Sequence, residues 1–222
     1  MRDYKEQVFS DRREAGRSLA ERLDHWRQAS DLLVLGLPRG GVPVAAEVAR
    51  ALDAPLDVLV VRKLGVPWHS ELAMGAIASG GAEYIDSVMT RRLGISAAQI
   101  EQVRRREQAE LVKREQRYRQ GQPAPELTDR TLIVVDDGLA TGATMRAAVQ
   151  ALRRQGAKRI VVAAPVASVE AARMLRNVAD EVEILQTPSA FSAVGQWYRD
   201  FSATQDEEVQ RLLAQAYQHD HP

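Results

Sequence analysis

The chain reads as an α/β fold, a parallel sheet flanked by helices, and three observations predict it. Short strand-like runs recur at 32–37, 56–62, 131–136, 159–164 and 181–186, and the one at 132–135, apolar and largely β-branched, reads as a strand buried on both faces. Amphipathic helical patterns separate them at 42–52, 143–155 and 168–178, and such alternation closes into parallel βαβ units with right-handed crossovers. The length of 222 residues suits one core-forming domain with an elaboration and leaves no room for two full enzymes.

Each remaining element has a local reason. Ala15, Leu19, Leu23 and Trp26 fall at helical spacing over 11–27, with Ser10 or Asp11 as cap and Phe9 as hydrophobic staple. After the run at 56–62 the pattern predicts a loop through Pro67 and a hairpin turning at Gly80-Gly81. Beyond Asp86 the rhythm changes: 87–93 reads as a short helix, and Ser96 with Gln99 forms a capping box for a long helix to about Arg119, ended by 121–125. Residues 189–200 are irregular and aromatic, and 206–217 make a closing amphipathic helix. The expected organisation is one domain over 1–222, with a helical insertion at about 87–125 and an aromatic tail at about 189–222.

Composition excludes several chemistries. Lys and Arg total 30, as do Asp and Glu, so there is no global field to hold a polyanion, and nucleic acid is not the expected partner. No cysteine is present, which removes disulfides, thiolate nucleophiles and zinc–cysteine sites. His25, His69, His219 and His221 lack metal-ligand spacing. The N-terminal run from Met1 to Glu6 has no apolar core and no stretch approaches bilayer length, so a soluble, cytoplasmic protein is expected. The helix at 96–120 carries seven cations and four anions, a net of +3; it reads either as a solvated helix or as a face for RNA or a partner subunit.

The densest chemistry lies at 132–144, Leu-Ile-Val-Val-Asp-Asp-Gly-Leu-Ala-Thr-Gly-Ala-Thr. A strand buried on both faces ends in Asp136 and Asp137, at the carboxyl edge where open α/β sheets bind ligands. Thr141, Gly142, Ala143 and Thr144 then lead into a helix, and a helix start with free amides and two hydroxyls favours a phosphate. Adjacent carboxylates accept hydrogen bonds from a vicinal diol, so the spacing fits a ribose 5-phosphate. The plainer reading, in which Asp136 and Asp137 cap the turn and Thr141 caps the helix, leaves the coincidence of strand, acids, glycines and threonines unexplained. The glycines at 36–41 do not match the dinucleotide fingerprint, and no Walker-type lysine follows the Thr-Gly turn.

This segment resembles the PRPP motif of the type I phosphoribosyltransferases. Three further segments carry the likeness: Pro38-Arg39-Gly40-Gly41 after an apolar run resembles the diphosphate loop, Arg62-Lys63 stands where the family places a cation against diphosphate, and 71–76 falls where its flexible loop and flanking strands are expected. Order and extent are most similar to a branch known only as predicted phosphoribosyltransferases. The resemblance implies a helical hood over the acceptor, phosphoribosyl diphosphate with Mg²⁺ as donor, and a nitrogenous acceptor, usually a nucleobase, that displaces diphosphate at C1. It assigns the ribose diol to Asp136 and Asp137, the 5-phosphate to Ala140, Thr141, Gly142, Ala143 and Thr144, and the diphosphate to Arg39, Gly40, Gly41, Arg62 and Lys63, with Asp136, Asp137 and Lys63 as the catalytic set. Mg²⁺ would meet Asp136 and Asp137 mainly through ligand oxygens or water, a loop near 66–79 would close over the site, and a homodimer is the expected assembly. Trp197 and Tyr198, with Phe201 behind them, are candidates to stack on the acceptor; packing of the tail on the sheet is the competing reading. His69 reads as an incidental loop residue or as a proton carrier. Two departures stand out. Ala140 replaces the Asp that enzymes acting on 6-oxopurines carry before the Thr, and His69-Ser70 replaces the Asn-Pro of the branch. The competing functional class is a non-catalytic sensor of PRPP or a nucleotide that binds RNA or a protein.

Overall fold

The computed structural model describes residues 8–220, so the Met1–Glu6 run and His221 lie outside it, as does the side chain of His219. In chain order the elements are α1 (Arg12–Arg22), β1 (Leu32–Gly36), α2 (Gly41–Leu52), β2 (Leu56–Val58), β3 (Val61–Val66), β4 (His69–Ala78), β5 (Glu83–Ile85), α3 (Ser87–Arg92), α4 (Ala97–Arg119), β6 (Thr131–Val135), α5 (Ala143–Arg154), β7 (Arg159–Val166), α6 (Val169–Arg176), β8 (Glu181–Gln186) and α7 (Asp206–Asp220). Asp11 caps α1, its side chain accepting from Glu14 N at 2.8 Å, and the Ser96–Gln99 capping box opens α4.

Five strands form a parallel sheet in the order β2-β1-β6-β7-β8, with β6 at its centre and β1 beside it, paired Leu32 opposite Thr131 and Gly36 opposite Val135. Every residue of β1 and β6 is buried. Because successive side chains alternate faces, Val34, Ile133 and Val135 join the core beneath α1, α2 and α7, while Leu33, Leu35, Leu132 and Val134 join the core beneath α5 and α6. At roughly 1.5–3 kcal/mol per fully buried aliphatic side chain, these two layers fix the sheet and the position of its carboxyl edge.

Two expectations for the middle of the chain need correction. The run at 56–62 is not one strand: β2 stops at Val58, and β3 starts at Val61 in a separate antiparallel sheet of order β3-β4-β5. The divergence is held by Ser79, whose hydroxyl accepts from Val60 N at 2.9 Å and whose own N donates to Val60 O at 2.9 Å. Nor is 66–79 a loop, since residues 69–78 form β4 and the chain turns at Pro67-Trp68. Gly65 and Gly75 permit this close pairing: a Cβ on Gly65 would lie 2.4 Å from Ser70 O, and one on Gly75 would lie 2.3 Å from Tyr84 O. The turn expected at Gly80-Gly81 does join β4 to β5, and both glycines have positive φ.

Candidate active site

The pairing of β1 with β6 makes the site. Their carboxyl ends lie side by side, so the loop at 38–40 is delivered against Asp136 and Asp137 although nearly a hundred residues separate the segments. Leu37 N donates to Val135 O at 2.9 Å and Gly41 N to Leu37 O at 3.0 Å, which ties the loop to the end of β6. The contact needs glycine. A Cβ on Gly40 would lie 2.0 Å from Oδ2 of Asp137, and one on Gly41 would lie 2.6 Å from Val135 O and 2.9 Å from Asp136 Cα. The Pro38–Arg39 peptide in this loop is cis.

Side chains cap α1, α3, α4 and α6, from Asp11, Asp86, Ser96 and Ser168 respectively. The N-termini of α2 and α5 have no side-chain cap; their N-cap residues are Gly40 and Gly142. At α2 the first-turn donors are spent, Gly41 N on Leu37 O and Val42 N on Arg39 O at 3.2 Å, and Pro43 has none. The start of α5, five residues beyond Asp137, is the one whose positive dipole end is left for an anion. In the second turn Ala140, Thr141, Ala143 and Thr144 are exposed, Gly142 has φ of 69°, and Ala143 N donates to Thr141 Oγ1 at 3.3 Å. The turn is anchored from below by Ser168, whose hydroxyl donates to Ala140 O at 2.7 Å.

Asp136 and Asp137 are half-buried and adjacent. Burial pushes the Asp136 carboxyl well above the ordinary carboxylate range, and the charge of Asp137 pushes the same way. Burial also raises Asp137, opposed by the guanidinium of Arg12, whose Nε donates to Oδ2 at 2.8 Å. Such a pair can accept from diol hydroxyls or offer hard oxygen donors to a divalent ion, and Mg²⁺, which keeps several waters and takes one or two carboxylates, suits that donor set. Among the described residues no group of three or more His, Cys, Asp or Glu could hold a metal ion by itself.

The cations divide. Lys63 is exposed on β3 and faces the phosphate turn across a cavity of about 510 Å³, whose walls include Thr141, Ala143, Arg146, Tyr84 and Met174. Arg39 stays largely exposed, 3.9 Å from Asp206. Arg62, expected against diphosphate, is turned the other way: its Nε and Nη2 bind Oε2 of Glu107 on α4 at 2.9 and 2.5 Å.

Trp197 and Tyr198 offer no open ring face for an acceptor in this structure. Each is about 5% exposed, packed with Phe9, Ala15 and Val166 in a small separate core. The tail folds back to pair Tyr198 with Phe9, and the Tyr198 hydroxyl donates to Asp137 O at 2.5 Å. The residue that sequence reasoning missed is Arg12, because its partner lies 125 positions away and nothing local separates it from Arg13 or Arg17.

Six of the seven cations of the basic helix are paired within the molecule. On α4, Arg104 pairs with Glu83 and Glu101, Arg105 with Glu101, Arg106 with Glu107, Lys113 with Glu110, Arg117 with Asp206, and Arg119 with Asp57 and Glu115. A net charge counted along a helix overstates what that helix presents to a polyanion when its cations are already engaged.

Fold and site together define an α/β protein whose sheet edge joins a carboxylate pair to the anion-accepting start of α5 and to a close-packed glycine loop. The chain belongs to the phosphoribosyl transferase domain family, whose model matches residues 10–201. Two Mycobacterium tuberculosis proteins, from strains CDC 1551 and H37Rv and both named "Putative phosphoribosyl transferase", are 48% identical over 210 residues, which is 95% of this chain and 47% of each of theirs. The chain thus spans about half the length of these curated relatives. It is also similar to the crystal structure of TT1426 from Thermus thermophilus, with 43% identity, a TM-score of 0.86, and coverage of 94% of this chain and 99% of that one.

Proposed function

We propose that this chain transfers the phosphoribosyl group of PRPP, with Mg²⁺, to a nitrogenous acceptor such as a nucleobase, releasing diphosphate. One observation carries the reading: the carboxylate pair that ends β6 leads directly into the 140–144 turn, whose hydroxyls are exposed at the start of α5 and whose N-cap is a glycine with no capping side chain. A donor with a phosphate at one end, a diphosphate at the other and a diol between presents charge in that order.

The 5-phosphate binds the amides and hydroxyls of 140–144, Asp136 and Asp137 accept from the ribose hydroxyls, and the loop at Arg39 and Gly40 receives the diphosphate, with Gly41 leaving room for its approach while its own N–H is held by Leu37 O. Lys63 adds positive charge as the leaving group departs. Arg62 serves instead to tie β3 to α4 through Glu107, which sets where Lys63 stands. Bound Mg²⁺ would be held by the diphosphate and ribose oxygens with Asp136 and Asp137 close by, and would offset charge on the leaving group. The acceptor nitrogen attacks C1 as the C1–O bond to diphosphate breaks, with inversion, and the carboxylates offset the cationic character at C1. Positioning and electrostatics supply most of the rate.

The competing sensor reading that depends on RNA is weakened by the internal pairing of α4. Ala140 argues for acceptors other than 6-oxopurines. A homodimer belongs to the same reading and is checked by light scattering. The deciding experiment measures PRPP·Mg²⁺ binding by calorimetry and diphosphate release across a panel of bases. Turnover with one base establishes the transferase; binding without turnover on any acceptor favours the sensor; no heat with PRPP removes the transferase and the PRPP sensor. Gly40→Ala should abolish donor binding, since the added methyl enters the space of the Asp137 carboxylate.

A further inference from the structure

Asp137 is not a free carboxylate. Its Oδ2 accepts from Arg12 Nε at 2.8 Å and lies tight against Gly40, its backbone N donates to Asp136 Oδ1 at 2.9 Å, and its carbonyl accepts from the Tyr198 hydroxyl. Arg12 is itself held on three sides. Its Nη1 donates to Ser202 O at 2.7 Å, its guanidinium lies 4.1 Å from the centre of the Phe201 ring and 5.9 Å from that of Tyr198, and its side chain is only 12% exposed. The Tyr198 and Phe201 rings are stacked 5.1 Å apart. The aromatic tail therefore builds a socket for one arginine.

We propose that Arg12 is a positioning residue for the acid pair: it fixes Oδ2 of Asp137 against Gly40, so that Oδ1 is the oxygen of Asp137 presented to ligand hydroxyls beside the carboxylate of Asp136. This rests on the reading of the site given above. The physical case is one of rotamer. A guanidinium with one N–H on the carboxylate, another on a backbone carbonyl and its face on a ring has lost its freedom, and it passes that restriction to Asp137. The other titratable groups around Asp137 are Asp136 on the same strand end and the Tyr198 hydroxyl; Asp200 faces Arg12 from the tail, and Arg39, next to Gly40, points to Asp206.

The test uses the full chain with Arg12→Met, Arg12→Lys and Phe201→Leu, the last two keeping the experiment decisive should the methionine variant not fold. Carboxyl-detected NMR at one fixed pH compares the Asp137 side-chain resonance without ligand, and calorimetry gives PRPP·Mg²⁺ affinity. Arg12→Met should displace or broaden the Asp137 carboxyl resonance as the side chain regains a second rotamer, and weaken PRPP binding by about ten- to a hundred-fold. Arg12→Lys should restore part of the affinity, and Phe201→Leu should give a smaller change in the same direction. A purely structural role predicts lost thermal stability with the Asp137 resonance and PRPP affinity unmoved, and that result would overturn the proposal. So would unaltered PRPP affinity in Arg12→Met. Wild-type protein silent toward PRPP, with the Asp137 resonance still displaced in Arg12→Met, would sink the donor reading while supporting the positioning of Asp137 by Arg12.

Discussion

The parallel sheet and the antiparallel β3–β5 sheet meet at the candidate site but draw on different mixtures of forces. In β1 and β6 every side chain is buried, and the carboxyl edge that carries Asp136 is fixed by apolar layers on both faces. In the smaller sheet only parts of β3 and β4 enter the core; Lys63 and residues 69–72 are exposed. Leu64, Val66, Met74 and Ile77 share a core with Val103 and Leu111 of α4, and ion pairs add to it, with Arg62 on Glu107 and Glu83 on Arg104, while Arg119 on Asp57 anchors α4 to β2. Apolar burial is non-directional and tolerant of pH, whereas ion pairs depend on geometry and on each partner remaining present. The lesson is an edge fixed by apolar layers that presents the acid pair and the phosphate turn, beside an element that presents Lys63 and is held by apolar packing and ion pairs together.

The largest expected effect breaks the second half of that comparison. Arg119→Met should destabilise by about 3–5 kcal/mol in urea unfolding, because Asp57 is 1% exposed and would keep a buried carboxylate with no cation. The double variant Asp57→Leu/Arg119→Met should recover most of the loss; no recovery would mean that packing rather than charge holds α4 at that end. Next, Leu132→Ala in the core should lower stability by about 2–5 kcal/mol, with little dependence on salt or pH between neutral and mildly acid conditions. A strong salt dependence would blur the distinction between the two regions.

A smaller and opposite effect is expected at the edge itself. The folded state holds the Asp136 proton to higher pH than the unfolded chain does, because burial and Asp137 disfavour its charge. The resulting cost is absent below the ordinary carboxylate range and fully present above the folded value. Asp136→Asn, whose amide oxygen can still accept from Asp137 N, should therefore raise the melting temperature at neutral pH while removing PRPP binding, and the gain should vanish on acidification. A variant less stable at neutral pH would show that the acid pair is not a site of stored cost. Smallest of all, Arg105→Ala should change stability by less than about 0.5 kcal/mol, since its pair with Glu101 is exposed; a larger loss would give the surface pairs of α4 a structural role.

Much of this was legible along the chain. The strands of the parallel sheet, the Asp11 cap and the Ser96–Gln99 box depend on residues within one turn or one strand of each other, so local pattern suffices. The same holds for the acid pair and the Thr141–Thr144 turn. The division of 56–62 into two strands escaped because an apolar run gives no sign of where the chain leaves a sheet; Ser79, far along the sequence, decides it. The role of Arg62 escaped because Glu107 is 45 residues away, and the net charge of α4 misled because the acids on Asp57, Glu83 and Asp206 lie on other elements.

By itself, then, the sequence determined the α/β class and the segments that bear carboxylate, hydroxyl and glycine at a strand end, because hydrophobic periodicity and turn chemistry act over a few residues. Only the tertiary structure decided which of those segments touch. Parallel pairing of β1 with β6 seats Gly40 against Asp137, and the return of the tail to Phe9 closes the socket around Arg12. Such contacts follow from how buried layers stack, and no local pattern encodes them.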